Sequence, residues 1–335
     1  MKSIKNHLFA INIAVLLLIS AGCKEYTTKT KINSDGSCER IVIVEGDTSN
    51  IAGLPFPIPI DKSWKIEKKK SEKDSTKVAY SAEKRFTDVN DLNAEYKDQS
   101  KIGVKINFEK KFRWFYTYYE YEETYKSYFP FKLIPLKEYL TKEEYQEFLD
   151  GDTTKTFKDK LDEYAGRNYV EYFLSEFLKA CKKHNITDVS QASIVANKQL
   201  ILEQIDKQGE DIDKLIQFLE KTLRSKSLKV VKPEIELLIE DIEKKMEWAG
   251  SADGTYTNQV SLPGVILSTN SKSVKGNTVE WKVDSWRFQF EDLAMRVESR
   301  SANVSMFVVT GVVFVLALIL LLLPKFKKRN LLGKA

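Results

Sequence analysis

Hydrophobic residues fall into successive patterns along this 335-residue chain. Residues 8–19 form a short apolar run. From residue 27 to about 125, apolar and polar residues alternate in short stretches, the period of strands. From 136 to 249 apolar residues recur every third or fourth position, the period of helices, and from 254 alternation returns. Residues 304–323 form a second, longer apolar run.

The alternating regions predict strands at 27–32 and 39–44, joined by Asn33-Ser34-Asp35-Gly36, whose Asp-Gly suits a tight hairpin. Pro55, Pro57 and Pro59 lack amide donors and make residues 53–60 an extended loop. Two more strands are predicted at 64–70 and 77–86, flanking 71–75, then a short helix at 88–96. Residues 103–125, rich in aromatic and β-branched side chains, read as one long strand.

In the helical region Thr141 and Glu144 form a capping box, and Gly151 ends that helix. Residues 168–183 place Val170, Phe173, Leu174, Phe177 and Cys181 on one face. Ile205, Ile212, Leu215, Ile216, Leu219 and Leu223 do the same for a helix ending near Arg224. Pro233 opens a helix through Trp248, with Ile235, Leu238, Ile239, Ile242 and Met246 inward. Strands are expected again at 254–262, 265–267, 278–283 and 286–290, with a turn at 270–277. Val279, Trp281 and Val283 share one face. The fold class expected is α+β: one mainly antiparallel sheet formed by both flanks, 23–136 and 250–303, a helical insertion at 137–249, and one C-terminal transmembrane helix.

The two apolar runs have different roles. Residues 8–19 follow Lys2 and Lys5, precede the small residues Ser20, Ala21 and Gly22, and are too short to span a bilayer, which is the layout of a signal peptide over 1–22. Ala21-Gly22-Cys23 resembles the end of a bacterial lipobox, where cleavage precedes a cysteine carrying diacylglycerol. The resemblance implies lipidation at Cys23, with acyl chains such as palmitate. Residues 304–324 contain no charge and are long enough to span; Pro324 closes the run, and Lys325, Lys327, Lys328 and Arg329 follow. Positive flanks stay in the cytoplasm, so residues 23–303 are expected outside the bacterial cytoplasmic (inner) membrane and 325–335 inside. A spanning helix holds the chain more firmly than a lipid. The lipid is therefore expected to position the chain, keeping both ends of the ectodomain on one surface.

Net charge misleads until the ends are removed. Of 53 basic residues seven lie in residues 1–22 and 325–335, leaving 46 against 48 acidic in residues 23–303. That balance argues against nucleic acid as a partner. With Cys23 lipidated, Cys38 and Cys181 are expected as buried thiols rather than a disulfide.

Several turn sequences carry a family resemblance: Ile32-Asn33-Ser34-Asp35-Gly36-Ser37, Leu262-Pro263-Gly264, Thr269-Asn270 and Gly276-Asn277-Thr278-Val279-Glu280-Trp281. Together they resemble bacterial envelope lipoproteins of the LppM-like type. The resemblance implies a small α+β domain held at a membrane by a lipidated cysteine and one spanning helix. It covers about a third of the chain and brings no catalytic residues.

The ectodomain holds one histidine, His184, so histidine triads, Cys-His dyads and common zinc sets cannot be assembled. Ser81-Ala82-Glu83-Lys84 has the spacing of a Ser-Lys pair, but a strand sends the two side chains to opposite faces. No catalytic residue, cofactor or metal is expected. Trp114, Tyr116, Tyr118, Tyr119 and Tyr121 form a candidate ligand or partner surface, the simpler alternative being cross-strand packing. The expected partners are membrane lipid and a membrane or periplasmic protein. The function anticipated is a non-catalytic scaffold or accessory protein, with glycan or lipid binding as the alternative. The sequence leaves oligomeric state open.

Overall fold

The computed structural model describes residues 25–46, 61–70, 78–99, 103–151, 155–208, 211–250, 254–284 and 286–332. Cys23, the loop at 53–60 and residues 71–75 lie outside them. The fold is mixed α+β. Its strands are β1 (Glu25–Ile32), β2 (Cys38–Gly46), β3 (Lys65–Lys70), β4 (Val78–Phe86), β5 (Val104–Phe112), β6 (Tyr116–Tyr125), β7 (Thr255–Ser261), β8 (Val265–Thr269), β9 (Ser273–Lys275), β10 (Thr278–Asp284) and β11 (Leu293–Ala302).

Where one sheet was expected there are two, and each draws strands from both flanks: β3-β4-β2-β1-β7-β10-β9 and β5-β6-β11-β8. Every pairing is antiparallel except β1 with β7. Alternation puts Tyr26, Val42, Val44, Tyr256 and Val260 of the larger sheet against Tyr121, Tyr125, Met295 and Val297 of the smaller, in one shared core. Helix α1 (Val89–Gln99) contributes Val89, Leu92 and Tyr96 to that core, and Asn93 Oδ1 accepts the Ile106 amide of β5 at 2.7 Å.

The aromatic stretch 103–125 is a hairpin, not a single strand. The Arg113 amide donates to the Tyr116 carbonyl at 2.7 Å, closing a turn through Trp114 and Phe115. Strand β11 was not foreseen, because its outward Arg296, Glu298 and Arg300 and inward Ser299 dilute the pattern of Met295 and Val297. The expected turn at 270–277 contains the short strand β9.

Residues 136–250 build α2 (Leu136–Tyr139), α3 (Lys142–Asp150), α4 (Lys155–Lys183), α5 (Gln191–Gln208), α6 (Ile212–Leu223) and α7 (Lys232–Gly250) around a second core. The capping box at Thr141 and Glu144 and the left-handed Gly151 are present as expected. The helix expected to begin at Asn168 starts at residue 155 instead. Asn168 is buried mid-helix: its Oδ1 accepts the amides of Leu133 and Ile134 at 2.9 and 2.7 Å, which ties the incoming chain to α4. The stretch from Ile205 to Leu223 is two helices, because Asp211 caps a new one at Lys214. Ile205 and Met246 lie in helices, but their side chains are outside the description.

The two cores meet at residues expected as a strand, 286–290. They form the short helix α8 (Arg287–Phe290), which sends Phe288 into the sheet core and Phe290 into the helical core. The carbonyls of Phe288 and Gln289 accept the amides of Tyr128 and Phe129 at 3.1 and 2.8 Å, so the entry and exit of the insertion are paired. Finally α9 (Val304–Leu332) continues through Pro324, where the apolar run ends but the helix does not. Its Val304–Leu322 segment has mean hydropathy 2.9, is unburied, and is long and apolar enough to cross a membrane.

Candidate functional site

The five aromatic residues singled out above are not brought together on one surface. β6 alternates, so Tyr119 and Tyr121 face the interior, each 2% exposed, while Tyr116 and Tyr118 lie half-buried on the outer face. There they join a ladder of charges: Arg296 pairs with Glu122, Lys111 with Glu109 and Glu120, and the Arg300 guanidinium lies 4.8 Å from the Tyr116 ring. Trp114, 52% exposed, stands apart at the hairpin tip beside α9.

Inside the sandwich lies a polar network that the sequence did not reveal. Arg40 on β2 and Glu123 on β6 are both fully buried and form an ion pair, Arg40 Nη2 to Glu123 Oε1 at 2.5 Å. Arg40 also donates to Thr30 Oγ1 at 2.7 Å. Glu123 accepts from Tyr121, Tyr125 and Asn258 at 2.8, 2.6 and 2.8 Å. Burial alone would push the Glu123 carboxyl up, but the charge and hydrogen bonds of Arg40, helped by Tyr125 and Asn258, hold it below the usual carboxylate range. The one available signal was Glu123 itself, an acid on the inward parity of β6 between Tyr121 and Tyr125. The network is enclosed by both sheets, and its chemistry is that of a staple between them.

The same contacts fix the relative direction of the sheets. Tyr256 and Asn258 of β7 meet Tyr125 and Glu123 of β6 in turn, with the two tyrosine hydroxyls 2.5 Å apart. Hence β6 runs opposite to β7, and β1 runs the same way as β11. The start of β1 at Glu25 therefore sits at the Leu293 end of the sandwich, and α9 leaves from the other end. Nine residue steps of strand separate those ends, about 30 Å. The helical insertion, rooted at Tyr128 and Phe288, also lies at the end away from α9.

The helical subdomain carries a shallow groove between α4 and α7, floored by Phe177 and Ile235 and bordered by Tyr172, Leu237 and Leu238. Leu237 is 65% exposed. At one end His184 Nε2 lies 2.6 Å from Glu234, whose carboxyl this hydrogen bond holds down at about 2. Cys38 and Cys181 are free buried thiols; burial pushes them up to about 12 and about 11, so neither is a ready nucleophile. Ser81 and Lys84 lie on β4 at opposite parity, as expected. Among the described residues no group of three His, Cys, Asp or Glu side chains is gathered to hold a metal ion.

No family model matches the chain, and no curated protein does. Among solved structures, the folded domain of LppM from Mycobacterium tuberculosis, determined by NMR, is similar over 84% of this chain and 92% of that one, at 9% identity and a TM-score of 0.30.

Proposed function

We propose that this chain is a non-catalytic scaffold of the bacterial envelope, held to the inner membrane by α9 and by a lipid on Cys23, and presenting its helical subdomain to a protein partner. The observation that carries the reading is an arrangement: the insertion is rooted at the end of the sandwich opposite α9, about 30 Å of strand away, and its α4–α7 groove opens with Leu237 exposed. An apolar groove on a subdomain set at the end of the sandwich away from α9 suits contact with a neighbour, and confinement to one membrane raises the effective concentration of that neighbour. The ectodomain lies outside the cytoplasm in this reading, and residues 325–335 lie inside.

A photoreactive amino acid at Leu237 should give a defined protein adduct in living cells, whereas the same group at Lys31, on the outer face of β1, should not. Absence of an adduct at Leu237 and at its neighbour on the groove, Tyr172, would remove the display role. The anchors are tested separately. Labelled fatty acid should appear on the native chain and be missing when an ordinary cleaved signal leaves Lys24 first, yet both forms should stay with membranes. Release of the second form would overturn the span.

A further inference from the structure

We propose that the β5–β6 hairpin tip is a membrane-inserted element, with the Trp114 indole seated at the boundary between headgroups and acyl chains of the leaflet that α9 enters. The proposal rests on the reading of α9 as a membrane span.

The argument is one of depth. Trp114 Nε1 donates to Thr310 Oγ1 at 2.8 Å, and Thr310 in turn donates to the Met306 carbonyl at 2.7 Å. Thr310 is six residues past Val304, so the indole lies about 9 Å along the apolar segment, at 1.5 Å per residue. The headgroup layer on each side of a hydrocarbon core is about 7 Å thick. If Val304–Leu322 spans, Trp114 cannot remain in bulk water. The neighbours agree: the Phe115 ring lies 4.7 Å and the Tyr116 ring 5.9 Å from Phe307 on the first turns of α9. Trp114, Phe112 and Phe115 are 52%, 58% and 37% exposed, an unusual cost in water for three large rings on one hairpin end.

The tip is also fixed to the helix rather than merely close to it. Asn303, between β11 and α9, donates its amide to the Phe115 carbonyl at 2.9 Å, and its Nδ2 donates to the Arg113 carbonyl at 2.7 Å; its Oδ1 accepts from Thr117 at 2.8 Å. Whatever depth α9 adopts, the tip must follow. Tryptophan favours this level because its ring is apolar and its N–H needs a partner, which Thr310 supplies. The exposed Arg113 at the same turn is placed for lipid phosphate.

The test uses the full-length protein in vesicles of phosphatidylethanolamine and phosphatidylglycerol, with or without bromine near the top of the acyl chains. Bromine should quench part of the tryptophan emission of the wild type, and Trp114→Phe should lose most of that quenching while remaining in the vesicles. Trp64 and Trp281 are buried in the sheet core and report nothing at this depth. Equal quenching in wild type and Trp114→Phe, with both proteins in the vesicles, would overturn the insertion and leave the span intact. Failure of the wild type to enter vesicles would overturn the span and the inference with it.

Discussion

The Arg40–Glu123 pair is where single residues matter most, because each partner is affordable in a dry interior only while the other is present. Removing Arg40 leaves a buried carboxylate without its cation, and such losses cost about 3–5 kcal/mol. Arg40→Met should therefore lower unfolding free energy at pH 7 by that order, and Arg40→Met with Glu123→Met should recover much of it, as urea titration would report. The pH dependence should also change sign. In the wild type the folded-state pKa of Glu123 lies below its ordinary 4.5, so its contribution is present above that value and is lost as pH falls. In Arg40→Met the burial that raises the pKa is opposed only by the hydrogen bonds of neutral neighbours such as Tyr125 and Asn258, so acidification should restore stability instead. Equal slopes in the two proteins would mean that Glu123 is not held as a paired anion. A second residue-scale case is Gly264, at φ +83°, where a Cβ would lie 2.0 Å from the Arg300 carbonyl oxygen. Gly264→Ala must move β8 away from β11, at about 1–3 kcal/mol from backbone strain alone. Gly276→Ala, also left-handed but in open space, should cost only the backbone strain, about 1–2 kcal/mol, without the clash. If the two substitutions proved equal, the close approach at Arg300 would carry no energy.

At the scale of elements, the short helix α8 holds the molecule together. Four residues from the second flank deliver Phe288 to the sheet core and Phe290 to the helical core, where Phe290 meets Phe129 and Tyr164 at 5.3 and 5.4 Å. Phe290→Ala should cost about 3–5 kcal/mol, as large aromatic truncations in cores do. Hydrogen exchange should show faster opening of α3 and α4 with β6 and β11 still protected. Uniform acceleration of both would show that the two cores open as one unit. This element also marks the limit of what the sequence discloses. Alternating Trp286, Phe288 and Phe290 read as a strand, because period two describes which side a residue takes and not which core receives it. Locally encoded features were legible: the Asp35-Gly36 hairpin, the Thr141–Glu144 capping box and the inward parity of Val279, Trp281 and Val283. The break at Arg113-Trp114-Phe115 was not, since it contains no Gly, Pro or Asn to announce a turn. Division into two sheets was equally hidden, because alternation assigns faces to strands without saying which face meets which. The five-residue aromatic set followed from reading 103–125 as one strand; once β6 alternates, two of its members belong to the interior and one to the tip beside α9.

For the whole molecule the decisive fact is the direction of β1. It runs alongside β11 and begins at the end of the sandwich that α9 leaves behind. Cys23 precedes Glu25 by two residues and so lies within about 7 Å of that strand end. On the proposed anchoring, a lipid there and a spanning helix at Val304 would be separated by about 30 Å of sandwich. With the strands upright on the membrane, the acyl chains would be held in water, at about 0.8 kcal/mol for each CH2 left unburied. A chain of ordinary length would then oppose the upright posture by more than about 10 kcal/mol, far above the worth of any single contact at the Asn303 joint. The lipid should therefore lay the strands along the membrane, with the hairpin tip and Asn303 as the pivot, and the form that begins at Lys24 should be free to stand. Glu45 pairs with Glu25 across the first hairpin and reports this end. The buried Cys38 and Cys181, with their raised thiol pKa values, leave a Glu45→Cys thiol as the reactive one for a nitroxide. In vesicles doped with a nickel-chelating lipid, the lipidated protein should show strong relaxation of that label and the Lys24-start form much weaker relaxation. Equal relaxation in the two would mean that the lipid adds attachment without setting posture, and that the sandwich takes its orientation from α9 alone.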